Sequence, residues 1–270
     1  MKKLGSLALA ALMVTALSVS ASAANSYKAA TGTPTIDGKM DDAYKAAEAI
    51  SISNNLKSAG DGKTSGTARV LWDDKNIYVF FDITDPILSD KAAATYWQAD
   101  SVEFFLDLAA APGDITTINA GQYTAQGPVP GAEFGWNGRG QHWDTGSKTA
   151  TYKSVVTDKG YAVEMVIPWG SNYTPKADAV IGVAFHINSD EDGKSGTREG
   201  EYFAGDAAAQ EKAWSSTEAY DKLTLTSERY VAPVEQEETK TPDTADMGLI
   251  AAIASLAASG AAVLNLKKRK

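Results

Sequence analysis

The chain has 270 residues, enough for one large domain or two modest ones. Its 34 acidic residues outnumber 25 basic ones, for a formal charge of -9. The two tails hold six of those bases and two of those acids, so the middle is more acidic still. Such a surface repels phosphate backbones and anionic headgroups, which argues against nucleic-acid partners. The absence of cysteine removes disulfides, iron–sulfur clusters, thiolate zinc sites and cysteine nucleophiles, and only His142 and His186 are present, too few for a multi-histidine metal centre.

In chain order, residues 1–23 have the layout of a secretory signal peptide: Lys2 and Lys3, an apolar stretch over 4–19, then Ala21-Ser22-Ala23 as the cleavage site. Cleavage is expected after Ala23, which sends the rest of the chain out of the cytoplasm. Residues 27–229 read as one domain. A short helix is expected over 41–49, with acids at its start. Strands over 68–72 and 77–83 flank the turn formers Asp73-Asp74-Lys75-Asn76. The segment 101–108 alternates, placing Val102, Phe104 and Leu106 on one face and Ser101, Glu103, Phe105 and Asp107 on the other. A second hairpin covers 151–156 and 161–167 around Thr157-Asp158-Lys159-Gly160. The segment 181–188 turns Ile181, Val183, Phe185 and Ile187 inward and Gly182, Ala184, His186 and Asn188 outward. A closing strand is expected over 222–226. So many short strands predict an all-β antiparallel sandwich of jelly-roll type.

The face carrying Glu103, Phe105, His186 and Asn188 mixes hydrogen-bonding groups with an aromatic ring, as the concave side of a ligand-holding sandwich would. Trp72 and Trp169 fit core patterns. Trp97 and Trp214 do not: both lie in polar loops with no apolar stripe to pack into, where tryptophan serves ligand contact. An indole stacks on the C–H face of a pyranose while carboxylate, amide and imidazole groups bond its hydroxyls. The acidic turn Asp190-Glu191-Asp192-Gly193 offers Asp190 and Asp192 as possible calcium ligands.

Beyond the domain, residues 230–241 form a linker rich in proline and glutamate that reads as a solvated stalk. Residues 242–270 carry an uncharged stretch over 247–266, long enough to cross a bilayer, followed by Lys267-Lys268-Arg269-Lys270 on what would be the cytoplasmic side. Ahead of it, Thr241-Pro242-Asp243-Thr244-Ala245-Asp246 resembles the LPxTG-type sorting signal of Gram-positive surface proteins, with Pro242 and Thr244 matching and Thr241 and Ala245 departing. The expected localisation is extracellular, tethered through the C-terminus to the membrane or cell wall.

Taken together, Gly32-Thr33-Pro34-Thr35-Ile36-Asp37-Gly38 with Asp41-Asp42-Ala43-Tyr44, Ala68 to Asp73 with Ile77-Tyr78-Val79, Trp97 to Phe105, Gly160 to Glu164 with Ile167-Pro168-Trp169, Ile181-Gly182 and Trp214 resemble the family 9 carbohydrate-binding modules. The resemblance implies a DOMON-like β-sandwich that clamps terminal sugars of β-glucan (cellulose) or xylan chains between two tryptophans, with no catalysis and no required cofactor, and with calcium in loops of some members. Residue by residue, Trp97 matches the first clamp, Glu103 the sugar-bonding carboxylate and Trp214 the second clamp. His186 falls where the family has a polar amide. A family arginine is replaced by glycine in the segment Glu133-Phe134-Gly135-Trp136, and Trp136 or Arg139 stands nearby to substitute. Three other readings compete. One is a decayed sugar site kept as a surface interaction domain. Another is a glycoside hydrolase using Glu199 and Glu201. The last is a haem-binding DOMON domain using His186 with Met165 or Met40.

Overall fold

The computed structural model describes residues 24–56, 61–115, 119–129, 149–194 and 196–233, with the backbone of 134–135. The signal sequence, the sorting-like segment, the 247–266 stretch, most of the linker, and Trp136 and Arg139 lie outside the described residues. No helix among the described residues is long and apolar enough to cross a membrane. The chain separates into one unit ending at Tyr230 and a second beginning at Val231. The described strands all belong to the first.

Among the described residues, thirteen strands form two layers. One layer runs β8 (Phe134–Gly135), β7 (Ala120–Gln126), β6 (Ser101–Asp107), β11 (Val180–Ser189), β13 (Asp221–Leu225) and β1 (Ser26–Thr31). Here β12 (Gly200–Phe203) pairs with β11 and with β3 (Asn54–Asn55). The other layer runs β4 (Ser65–Trp72), β5 (Asn76–Thr84), β10 (Gly160–Pro168) and β9 (Thr151–Thr157), with β2 (Ile50–Ile52) on β4. Strand β1 joins them: residues 26–29 pair in parallel with β13, and Ala30 and Thr31 pair in parallel with β4. Apart from these two β1 pairings, the strand pairs are antiparallel.

Period-two alternation explains the core. Val70, Val79, Phe81, Val163 and Met165 of one layer meet Val102, Phe104, Phe185 and Ile187 of the other in a single buried cluster. The Phe81 and Phe185 rings meet edge to face, with centroids 6.2 Å apart. Trp72 and Trp169 pack into this core as expected, and each indole N–H finds a carbonyl, on Thr226 at 2.9 Å and Asp73 at 2.8 Å. The turn between β4 and β5 is made by Asp73, whose Oδ1 accepts the Lys75 and Asn76 amides at 2.8 Å. In the β9–β10 hairpin, a Cβ on Gly160 would stand 2.6 Å from the Asp85 nitrogen, so only glycine fits there.

Two expectations need correction. The helix expected over 41–49 is a 3-10 turn, Asp42–Ala46, because Ala47 is already extended on the way to β2. Only Tyr44 of that turn is fully buried, so no apolar stripe sustains a longer helix. The strands β1, β2, β3, β7, β8 and β12 are not among the expected ones. The β7 sequence AGQYTAQ looks polar, yet all seven residues are buried. Tyr123 and Ala125 enter the core while Gln122 and Thr124 take the opposite face.

Candidate functional site

The outward face of the layer containing β6, β7 and β11 is covered at one end by a second apolar cluster, where Ile115 and Ala213 from the flanking loops meet Phe105, Ala184 and Tyr220. A short helix α1 (Ala207–Gln210), capped by the Asp206 carboxylate on the Ala209 amide at 2.9 Å, starts the segment that provides this cover. The uncovered part is a cleft of about 320 Å³ lined by Trp97, Glu103, Phe105, Gln122, His186, Arg198, Glu201, Glu211 and Trp214. That is the size of a small-molecule site.

Register builds the floor. Glu103 of β6 stands opposite His186 of β11 on one side and Thr124 of β7 on the other, and His186 in turn stands opposite Phe203 of β12. Glu103 Oε1 accepts from Gln122 Nε2 and Thr124 Oγ1, both at 2.9 Å. Burial opposes ionisation of Glu103, but His186, Thr124 and Gln122 together hold its carboxyl below the usual range. The His186 ring is clamped between Phe105 and Phe203, with centroids at 4.6 and 4.5 Å. Burial pushes Glu201 up, against the pull of Arg198 and His186.

The walls come from loops. Trp97 lies in a 3-10 turn, Tyr96–Gln98, immediately before β6, and Trp214, half exposed, follows α1. The Arg198 guanidinium lies over the Trp97 ring at 5.1 Å and is held by Glu201 Oε1 and Asn188 Oδ1, each at 2.8 Å. Gln98 adds a tie, its carbonyl accepting the Gly196 amide at 2.9 Å.

The structure therefore brings Trp97, Glu103, His186 and Trp214 to one cleft. Asn188 is different: it is fully buried, donates to Ser101 Oγ at 3.0 Å and accepts from Arg198, so it positions the arginine instead of lining the cleft. Gln122, Arg198, Glu201 and Glu211 are additional lining residues. Sequence alone offers Glu201 only as half of a catalytic pair with Glu199. Glu199 is not brought into the cleft lining with it: its Oε2 accepts the Glu191 amide at 2.9 Å and its carboxylate lies with those of Asp190 and Asp192. Nor is the haem pair assembled: Met165 is sealed in the core between the layers, His186 is on the outer face of its sheet, and Met40 is surface-exposed and absent from the cleft lining.

Of the two possible calcium ligands, Asp190 is buried and Asp192 is exposed and paired with Lys194 at 2.8 Å. Carboxylate oxygens of Asp190, Asp192 and Glu199 fall within 4.8 Å of one another. Two further buried acids crowd the same loop. The Asp100 Oδ1 accepts the Asp190 amide at 2.9 Å. Burial pushes Asp85 up to about 7, aided by the charge of Asp100, and pushes Asp100 up to about 6. Asp85 Oδ2 is buried with no hydrogen-bond partner among the described residues. The Asp190, Asp192 and Glu199 carboxylates offer the hard oxygen donors that a calcium ion takes.

An antiparallel two-layer β-domain with an aromatic-walled, polar-floored cleft on one outer face is the class of protein defined by these observations. Residues 36–228 match the carbohydrate family 9 binding domain-like family, and the chain belongs to it. Endo-1,4-beta-xylanase A of Thermoanaerobacterium saccharolyticum is 36% identical over 199 residues, which is 72% of this chain and 16% of that protein. Exoglucanase XynX of Acetivibrio thermocellus is 35% identical over 196 residues, again 72% of this chain and 16% of the relative. The chain thus spans a small part of these curated relatives. Among solved structures, a family 9 carbohydrate-binding module from Caldicellulosiruptor kristjanssonii in complex with cellotriose superposes with a TM-score of 0.61 at 22% identity, covering 78% of this chain and 99% of that one. A family 9 carbohydrate-binding module from the same organism in complex with glucose gives 0.61 at 22% identity, covering 77% of this chain and 100% of that one.

Proposed function

We propose that the cleft holds the terminal sugar of a β-glucan or xylan chain, as a binding module with no chemistry of its own. The observation that carries this reading is the pairing of two loop tryptophans with a floor of satisfied and unsatisfied polar groups. Trp97 and Trp214 offer indole faces to the C–H face of a pyranose. Glu103, fixed by Gln122 and Thr124, accepts hydroxyl donors, and Gln122 Oε1, buried without a partner among the described residues, accepts another. His186 completes the polar floor, and Arg198 lines the cleft and backs Trp97. The family membership, the complexes of the similar modules with cellotriose and glucose, and the xylan- and glucan-degrading names of the sequence relatives support the same substrate class.

The reading extends to the chain ends and the acidic loop. The protein is exported, cut after Ala23, and held at the surface of a Gram-positive cell through residues 242–270, by a sortase acting after Thr244 or by the 247–266 stretch in the membrane. There it holds the cell on plant polysaccharide or captures released oligosaccharides. Calcium is bound by Asp190, Asp192 and Glu199, where it would neutralise the crowded carboxylates and brace the loop that leads to Arg198.

Calorimetric titration of the protein with glucose, cellobiose, xylobiose and cellobiitol tests the central claim. Binding of the reducing sugars, lost in Trp97→Ala and Trp214→Ala, is the expected result. Failure of the alditol would show that the clamp reads a reducing end. Silence across the panel and on insoluble glucan and xylan would leave a fold whose sugar site has lapsed, and release of reducing sugar would overturn the claim of no chemistry.

A further inference from the structure

Three side chains at the cleft floor stand too far apart for hydrogen bonds and too close for indifference. His186 Nδ1 lies 3.7 Å from Glu103 Oε2 and 3.9 Å from Glu201 Oε1, both beyond hydrogen-bond length. The three side chains are buried, and their ligand atoms fall within 4.8 Å of one another. Among the described residues neither ring nitrogen of His186 has a hydrogen-bond partner, although the residue is 1% exposed. A buried polar group left without a partner is costly, so the geometry calls for something to meet it.

A metal ion does so with little rearrangement. Bonds of roughly 2.0–2.2 Å at tetrahedral angles hold nitrogen and oxygen ligands roughly 3.3–3.6 Å apart. The two spacings from His186 Nδ1 are wider by a few tenths of an ångström, and the carboxylates, within 4.8 Å of each other, close the rest by turning about their last torsions. We propose that Glu103, His186 and Glu201 form a site for a divalent transition-metal ion such as Zn²⁺, with its fourth position open to the cleft. An imidazole with two carboxylates suits zinc better than calcium or magnesium, which take oxygen donors alone. The ring is already held by Phe105 and Phe203 on either side, and Glu103 by Gln122 and Thr124, so two of the three ligands are preorganised. The competing cation is Arg198, whose Nη1 bonds the same Glu201 oxygen at 2.8 Å. The site does not rest on the sugar reading, since the metal needs no sugar to bind.

The test uses tag-free protein, stripped with chelator and saturated with calcium so that the Asp190 loop is occupied. It is then titrated calorimetrically with Zn²⁺ alone, and with Co²⁺ to read the visible absorption of bound cobalt. One ion per chain is expected, with the cobalt spectrum of a nitrogen–oxygen site. His186→Asn and Glu201→Gln are each expected to lose more than the roughly 10–100-fold that removing an outer-shell partner costs. An unchanged melting temperature in chelator separates loss of a ligand from loss of the fold, and Glu201→Gln carries the test if His186→Asn does not fold. Arg198→Gln is expected to tighten Zn²⁺ binding by freeing Glu201. Absence of stoichiometric binding, indifference to both ligand variants, or loss of the site in His142→Ala would overturn the proposal. Sugar titration of metal-free wild-type protein reports the sugar reading and Zn²⁺ titration without sugar reports the metal site, so failure of one leaves the other standing.

Discussion

The Arg198 guanidinium stacks on Trp97, its Cζ 5.1 Å from the ring centroid, while Nη1 bonds both Glu201 and Asn188 at 2.8 Å. The stack fixes one wall of the cleft from below. Arg198→Ala should therefore free the indole and weaken sugar binding by about 1 kcal/mol, roughly fivefold. Arg198→Lys should rescue little, because an ammonium lacks the planar face and the fork of donors. Asn188→Ala should move affinity in the same direction without touching the sugar. Titration of the three variants with cellobiose, alongside their tryptophan emission, checks the chain of contacts.

Trp214 offers a cleaner separation of binding from folding. Half of its surface is exposed, so Trp214→Ala should leave the melting free energy within about 0.5 kcal/mol while costing about 2 kcal/mol or more in sugar affinity. Equal losses in both quantities would show that the indole packs and does not clamp.

The acidic loop predicts a pH dependence with a definite sign. Asp85 and Asp100 have folded values raised from 3.8 to about 7 and about 6. A raised carboxyl binds its proton more tightly in the folded state, so its contribution is full below the unfolded value and is lost as pH rises through the folded one. In chelator, the melting temperature should therefore fall between pH 5 and pH 8 on account of these groups. Asp85→Asn should flatten that slope. Calcium should raise the melting temperature more at pH 8 than at pH 5, because the ionised loop is then in greatest need of a counter-charge. Melting curves at the two pH values, with and without calcium, distinguish these outcomes.

On the opposite layer, Glu164 accepts from Tyr44 Oη at 3.0 Å and from the Asp37 and Gly38 amides at 3.0 and 3.1 Å. Tyr44→Phe leaves that buried carboxylate one donor short and should cost about 1–3 kcal/mol of stability. Sugar affinity should not change, since the cleft belongs to the other sheet. Denaturant unfolding together with a sugar titration tests both halves.

Much of this architecture was legible in the chain. Alternation over 101–108 and 181–188 placed Val102, Phe104, Phe185 and Ile187 in the core and set Glu103 and His186 on the other face, because side chains of a strand alternate whatever its neighbours are. Trp97 and Trp214 stood out because no apolar periodicity surrounded them. The strand β7 stayed hidden because Gln122, Thr124 and Gln126 outnumber its large apolar side chains. Arg198 stayed hidden because a loop arginine carries no local signal of what it will stack on. Asn188 was placed on the correct face but given the wrong task, since its partners Ser101 and Arg198 are fixed by strand pairing and loop closure.

The sequence by itself determined the period of each strand, and so which side chains face the core and which face away. It also determined the excess of negative charge. Only the tertiary structure decided the register of β6 against β7 and β11, which sets Glu103 between Thr124 and His186. It alone brought Arg198 over Trp97, and Glu201 to within reach of His186. The physical reason is that periodicity is a local property of the backbone, whereas register and loop closure are chosen by hydrogen bonds and packing between segments far apart in the chain.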